Sequence, residues 1–249
     1  MQRYKLTLEY NGSGFVGWQR QINGRGIQEV IEQAIKRFCG ESVTVFGSGR
    51  TDAGVHAMAQ VAHFDIKKTT NNDTIRDALN HYLEKGTISV LAAEAVSQEF
   101  HARFSAKKRL YLYRIVSRRG PTTFDNGRVW WVPRSLDPNV MHEASQILLG
   151  KHDFSTFRAA ECQADSPVKT LDKIRVDNVL YPGGLEIQIH VCAKSFLYHQ
   201  VRNFAGSLKL VGEGRWSIND FKVALEAADR RQGGPTAPPE GLYFVKVIY

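Results

Sequence analysis

Apolar and polar residues alternate over residues 3–10, with Tyr4, Leu6 and Leu8 on one face and Lys5, Thr7 and Glu9 on the other. That period of two predicts a half-buried strand. A glycine-rich stretch, residues 11–26, follows. From residue 27 the period changes: Ile27, Val30, Ile31, Ala34, Ile35 and Phe38 recur at spacings of three and four, which predicts a helix over 27–38 with one buried face, ended by Gly40. Short apolar runs predict strands at 43–46 and 60–66. Further on, a helix is expected at 73–83 and a strand at 86–96. More strands are expected at 109–116, 128–132, 174–180 and 185–192, with helices at 137–149, 196–211 and 218–228. Residues 233–241 hold three prolines, which lack donors and fix φ, so this stretch reads as a loop leading into a last strand at 242–248. Interleaved strands and helices of this kind predict an α+β protein of two similar α/β halves, residues 1–105 and 106–249. Each half is expected to be a mostly antiparallel sheet flanked by helices, with the division near Ser105.

Composition narrows the class. With 249 residues, 43% hydrophobic and 23% charged, the chain is long enough for a substantial core and too apolar to be disordered. Cys39, Cys162 and Cys192 are odd in number, far apart and outside any C-x-x-C spacing, which suits a reducing compartment; a cytoplasmic location is the expectation. Charges at Arg3 and Lys5 fall where a signal peptide would need an apolar core, and no later stretch is apolar for long enough to span a bilayer, so neither secretion nor membrane insertion is expected. Lys and Arg exceed Asp and Glu, 33 to 25, for a formal charge of +8. That balance suits a polyanionic partner, and equally a merely basic soluble protein.

The densest concentration of chemistry is GSGRTDAGVH at residues 47–56, between two predicted strands. Its glycines permit backbone angles that other residues avoid, so the loop can hold a side chain where a regular strand could not. Two phosphate-binding patterns fail here. A Walker loop needs Lys-Ser/Thr after its last glycine, where Val55 and His56 stand, and a dinucleotide fingerprint needs a glycine where Asp52 sits. Beside glycine, Asp52 reads as a turn-former or helix cap as readily as a functional carboxylate. Arg50 could serve as its ion-pair partner or as a phosphate contact.

Two further segments stand out. Strand alternation over residues 107–114 places Lys107, Arg109, Tyr111 and Tyr113 on one face and Leu110 and Leu112 on the other. Such a face can hold phosphates while a tyrosine ring stacks on an unpaired base; the same tyrosines are also ordinary packing residues of a strand. In SFLYHQVRN, residues 195–203, Arg202 lies one turn from Tyr198 at the edge of a helical apolar stripe. It either snorkels to solvent or points into a site, where its charge would keep a nearby carboxylate ionised. No His, Cys or carboxylate spacing forms a recognised metal-ligand set, and no G-x-S-x-G elbow supports a Ser hydrolase, so neither a metal nor small-molecule hydrolysis is expected.

The string GRTDAGVHA, residues 49–57, resembles the active-site signature of the tRNA pseudouridine synthase A family. So do LEYNGSGFVGWQ (8–19), RLYLYR (109–114), HDFSTF (152–157), SFLYHQVRN (195–203) and TAPPEGL (236–242), in that family's order along nearly the whole chain. The resemblance implies the pseudouridine synthase fold, two α/β halves around a central basic cleft. It implies a homodimer acting on tRNA, with isomerisation of uridine to pseudouridine at positions 38–40 in the anticodon stem-loop and no cofactor. By resemblance Asp52 matches the nucleophile, Arg50 the arginine that helps extrude the target base, Tyr111 the tyrosine that stacks on it, and Arg202 the basic residue that pairs with the aspartate. One departure is visible: many members carry Met where this chain has Gln200, which bears on local packing. The rival expectation is a non-catalytic RNA-binding protein, for which charge and the 109–113 strand suffice, but which gives no reason for an acidic residue in a basic setting.

Overall fold

The computed structural model describes residues 1–22 and 24–249. Among them the chain forms ten strands and five α-helices, mostly in antiparallel pairing. It divides into two compact units, Met1–Lys107 with Tyr243–Tyr249, and Lys108–Leu242.

The first unit is built on β1 (Gln2–Tyr10), which lies between β3 (His56–Ile66) and β4 (Ile88–Val96) and is antiparallel to both, with Leu6 opposite Ala62 on one side and Ala93 on the other. The alternation read from the sequence holds: Tyr4, Leu6, Leu8 and Tyr10 are buried. A two-residue strand β2 (Phe46–Gly47) pairs with β3. The last strand of the chain, β10 (Leu242–Ile248), joins β3 in parallel through Tyr243 and Phe244. Helices α1 (Ile27–Cys39) and α2 (Asn72–Tyr82) lie side by side. On α1 the predicted stripe is the buried one, Ile27, Ile31 and Ile35 being fully enclosed; burying each is worth about 1.5–3 kcal/mol. The helix stops at Gly40.

The second unit carries β5 (Lys108–Ser117), β6 (Trp130–Val132), β7 (Gly150–Asp153), β8 (Val168–Tyr181) and β9 (Gly184–Ala193), with helices α3 (Pro138–Ser145), α4 (Gln200–Gly212) and α5 (Ile218–Glu226). Its sheet runs β5-β9-β8-β7, antiparallel throughout, with β6 added in parallel to β5. Helix α4 packs against both α3 and α5, so it is buried on nearly every side rather than on one stripe. Phe204 anchors it, its ring meeting those of Phe154 and Phe157 at 5.5 and 4.9 Å.

Several boundaries differ from the pattern reading. The helix expected from residue 196 begins at Gln200, because His199 sits at φ +61°, a left-handed conformation that interrupts the helical path. The strand expected at 43–46 is reduced to Phe46–Gly47. Strand β7 was not expected: its Lys151, His152 and Asp153 give no apolar alternation, and backbone pairing with β8 alone defines it.

Candidate active site

The loop from β2 to β3 is held by its middle residue. Thr51 is buried, while its neighbours Arg50 and Asp52 are exposed and half-exposed. The Thr51 Oγ1 atom lies 2.8 Å from the hydroxyl of Tyr10, and the Thr51 carbonyl accepts the Trp18 N–H at 3.0 Å. Gln60 extends the same buried network. Its Oε1 accepts from Ser48 Oγ at 2.5 Å, while its Nε2 donates to Gly49 O at 2.9 Å and, more weakly at 3.5 Å, to Tyr10 OH. Because a carbonyl can only accept, the Gly49 contact fixes which way the Gln60 amide faces. Burial pushes the Tyr10 phenol up to about 12, so it stays a neutral hydroxyl through the physiological range.

Beyond Thr51 the chain turns. The Val55 N–H donates to Asp52 O at 3.2 Å, with Gly54 at φ +79° in the third position, the geometry a type II turn asks of that residue. Gly17 makes room for the loop from the other side. It sits at φ +105°, and a Cβ there would lie 2.6 Å from Thr51 O. His56 closes the loop: its Nδ1 accepts the Gly12 N–H at 3.0 Å and its ring stacks on Tyr243 at 4.8 Å. The backbone of Asp52 is therefore a turn-former, as the plainer reading held, and it also presents a half-exposed carboxylate from a rigid frame.

The second unit holds the other two candidates. Tyr111 stands on β5 opposite Val191 of β9, half-buried, with its ring edge-on to Phe196 at 5.1 Å. Its neighbour on the same face does not share that exposure. Tyr113 is wholly enclosed, donates its hydroxyl to Pro238 O at 2.7 Å and meets Trp130 edge-on at 6.2 Å. The basic and aromatic face read over residues 107–113 thus ends at Tyr111, because the strand runs into the core one pleat later. Arg202, in the first turn of α4, is part-buried and donates through Nε to Ala237 O at 2.8 Å, while its own carbonyl accepts the Ala237 N–H at 3.2 Å. The loop 233–241 is therefore clamped to α4 at Arg202. Gln200 supplies the helix entry: its Oε1 accepts the Leu197 N–H at 2.7 Å with the side chain buried.

Arg50 and Asp52 thus share one loop of the first unit, and Tyr111 and Arg202 belong to the second. Tyr10, Trp18, Ser48 and Gln60 escaped the sequence reading. They lie in stretches the sequence did single out, Tyr10 and Trp18 within 8–19, Ser48 within 47–56 and Gln60 at the start of the 60–66 strand, but nothing there marked them as partners of one another. Among the described residues no group of three His, Cys, Asp or Glu side chains is placed to hold a metal ion, and no helix is long and apolar enough to cross a membrane.

With this geometry in view, comparison with known proteins is decisive about kinship. The family described as tRNA pseudouridine synthase matches residues 7–105 and 144–249. A protein of Rhodospirillum rubrum named tRNA pseudouridine synthase A is 55% identical over 249 residues, covering all of this chain and 88% of the relative. Proteins of the same name from Sinorhizobium fredii and Xanthobacter autotrophicus are 54% and 55% identical, with the whole of both chains covered in each case. The chain belongs to the tRNA pseudouridine synthase family and is an isomerase, with the α+β architecture that the pattern predicted and the pseudouridine synthase fold that the resemblance implied.

Proposed function

We propose that this chain converts uridine to pseudouridine at positions 38–40 in the anticodon stem-loop of tRNA, with Asp52 as nucleophile, and that it works as a homodimer in the cytoplasm. The observation that carries the reading is the frame around Asp52. A carboxylate is a weak nucleophile, and holding it on a fixed backbone beside a bound base offsets that weakness. Thr51, buried and bonded on both its side chain and its carbonyl, together with the turn closed at Val55, supplies such a frame.

The reaction balances without a cofactor. The bond from the ribose C1′ to N1 of uracil breaks, the base reorients, and a bond from C1′ to C5 forms; C5 loses a proton and N1 gains one. A covalent bond from Asp52 to C6 would tether the detached base during reorientation, whereas one to C1′ would hold the sugar and leave the base to the surrounding pocket. A uridine within a stem must first leave the stack, at a cost of a few kcal/mol. In this reading Arg50 assists the extrusion, Tyr111 stacks on the extruded base, and Arg202 pairs with the carboxylate of Asp52. The edge-on support of Phe196 against Tyr111 suits a stacking platform.

The test is Asp52→Asn. Pseudouridine formation in tRNA is expected to fall below detection while tRNA binding is largely kept, which also separates this reading from a non-catalytic RNA-binding protein. Substantial turnover by the variant removes Asp52 from the mechanism.

A further inference from the structure

Away from these residues the second unit has another concentration of positive charge. From Tyr111, β5 runs six residues on to Ser117, roughly 20 Å at about 3.3 Å per residue, which is well beyond the reach of a single nucleotide. There an open pocket of about 510 Å³ is walled by Arg118, Arg119, Arg134 and the turn at Gly183 and Gly184, and no carboxylate lines it.

The three arginines differ in what they do. Arg118 is a brace: Nε donates to Gly120 O at 2.9 Å, Nη1 to Pro182 O at 2.8 Å and Nη2 to Pro121 O at 2.5 Å, with the guanidinium over the Tyr181 ring at 5.2 Å. These contacts are all to neutral groups, so its charge remains. The backbone on either side is equally fixed: Ser117 Oγ donates to Arg134 O at 2.7 Å, and Trp131 Nε1 to Arg118 O at 2.9 Å. Arg119 and Arg134, by contrast, are exposed, and among the described residues no hydrogen bond or ion pair engages either guanidinium. Solvated surface arginines usually need no explanation. Three around one concavity with no acid among them are different, since like charges repel and neither Arg119 nor Arg134 returns anything to the fold.

We propose that this pocket is a second tRNA-binding site, in which Arg119 and Arg134 hold a backbone phosphate of the substrate while Arg118 fixes the walls and adds charge. The forked guanidinium suits bidentate contact with phosphate oxygens, and a rigid pocket spares the ordering cost of binding. The inference rests on tRNA being the substrate and makes no use of Asp52 chemistry. It places part of the affinity for tRNA about 20 Å from the base being isomerised.

The experiment measures binding of full-length tRNA by fluorescence anisotropy across a salt series, in an Asp52→Asn background so that turnover does not intrude. Each phosphate neutralised contributes a released counterion, worth roughly eightfold at 0.1 M salt. Replacing both side chains, Arg119→Gln with Arg134→Gln, is expected to raise the Kd about tenfold at that salt and to reduce the slope of log K against log salt by about 1. Arg119→Lys with Arg134→Lys keeps the charges and is expected to keep most of the slope. Unchanged affinity and slope in the Gln pair overturn the proposal, and so does equal loss in the Lys pair, which assigns the effect to shape rather than charge. Pseudouridine formation by the Asp52→Asn parent bears on the nucleophile alone and leaves this binding readout intact.

Discussion

The hydroxyl of Tyr10 and Oγ1 of Thr51 lie 2.8 Å apart inside the first unit, both side chains buried, so the residue next to Asp52 is tied to the first strand of the sheet. Thr51→Val keeps shape and volume but removes the partner of a buried phenol, a loss of about 1–3 kcal/mol in stability. Its larger expected effect is on rate. Releasing Thr51 lets the Asp52 backbone drift, and misplacement near 1 Å costs up to roughly a hundredfold in the chemical step. The expected result at a temperature where both proteins are folded is a drop in kcat of roughly ten- to hundredfold, with KM little changed, and recovery of most of kcat in Thr51→Ser. Equal kcat in the Val and Ser variants denies the hydroxyl this positioning role.

What the sequence made legible, and what it hid, divides along physical lines. Elements with a strong period were found because burial of one face imposes the period: β1 with Tyr4, Leu6 and Leu8, and α1 with Ile27, Ile31 and Ile35. Loop 47–56 drew notice because glycines, an arginine and a carboxylate crowd into ten residues. Non-local relations left no trace. Nothing in residues 242–248 says that the strand pairs in parallel with β3, since pairing is made by backbone groups common to all residues. Tyr10, Ser48 and Gln60 are polar residues scattered over fifty positions, and only the fold turns them into one network around Thr51. Tyr113 shares a face with Tyr111 in the sequence pattern yet is far more deeply buried, because alternation assigns a face and not a depth.

Gln200, noted in the sequence as a departure from the resembled pattern, has a task in the structure. Its buried Oε1 accepts the N–H of Leu197, which precedes α4 and has no partner in the helical ladder, at 2.7 Å. Gln200→Met matches the side chain in length and supplies no comparable acceptor. A buried amide without a partner costs about 1–3 kcal/mol, so the midpoint of urea unfolding is expected to fall accordingly with the slope m unchanged. A midpoint equal to that of the parent means that the Leu197 N–H finds another acceptor.

His63 predicts an acid-sensitive first unit. It is buried on β3, where Nδ1 accepts the Ala102 N–H at 3.2 Å and the ring packs against Phe46 at 5.2 Å and His101 at 4.6 Å. Burial, with the positive charges of His101 and Arg3 nearby, pushes its pKa down to about 4, against an opposing pull from Asp65. The unfolded chain takes up this proton near pH 6.5, and the folded one only near 4. Between those values the unfolded state binds more protons, so stability falls as the pH falls, and the loss is complete below about 4. His101 is lowered in the same direction. Allowing for screening, the His63 contribution is about 1–2 kcal/mol. Asp65, held low by its bond to Arg3, adds its own loss further into acid, so the comparison must be made within one pair of proteins. His63→Gln keeps an acceptor for the Ala102 N–H and removes the titration. Plotted from pH 7 to 4.5, its Tm is expected to decline less steeply than that of the parent, the two curves converging toward acid. Curves that stay parallel over that range exclude His63 as the group responsible.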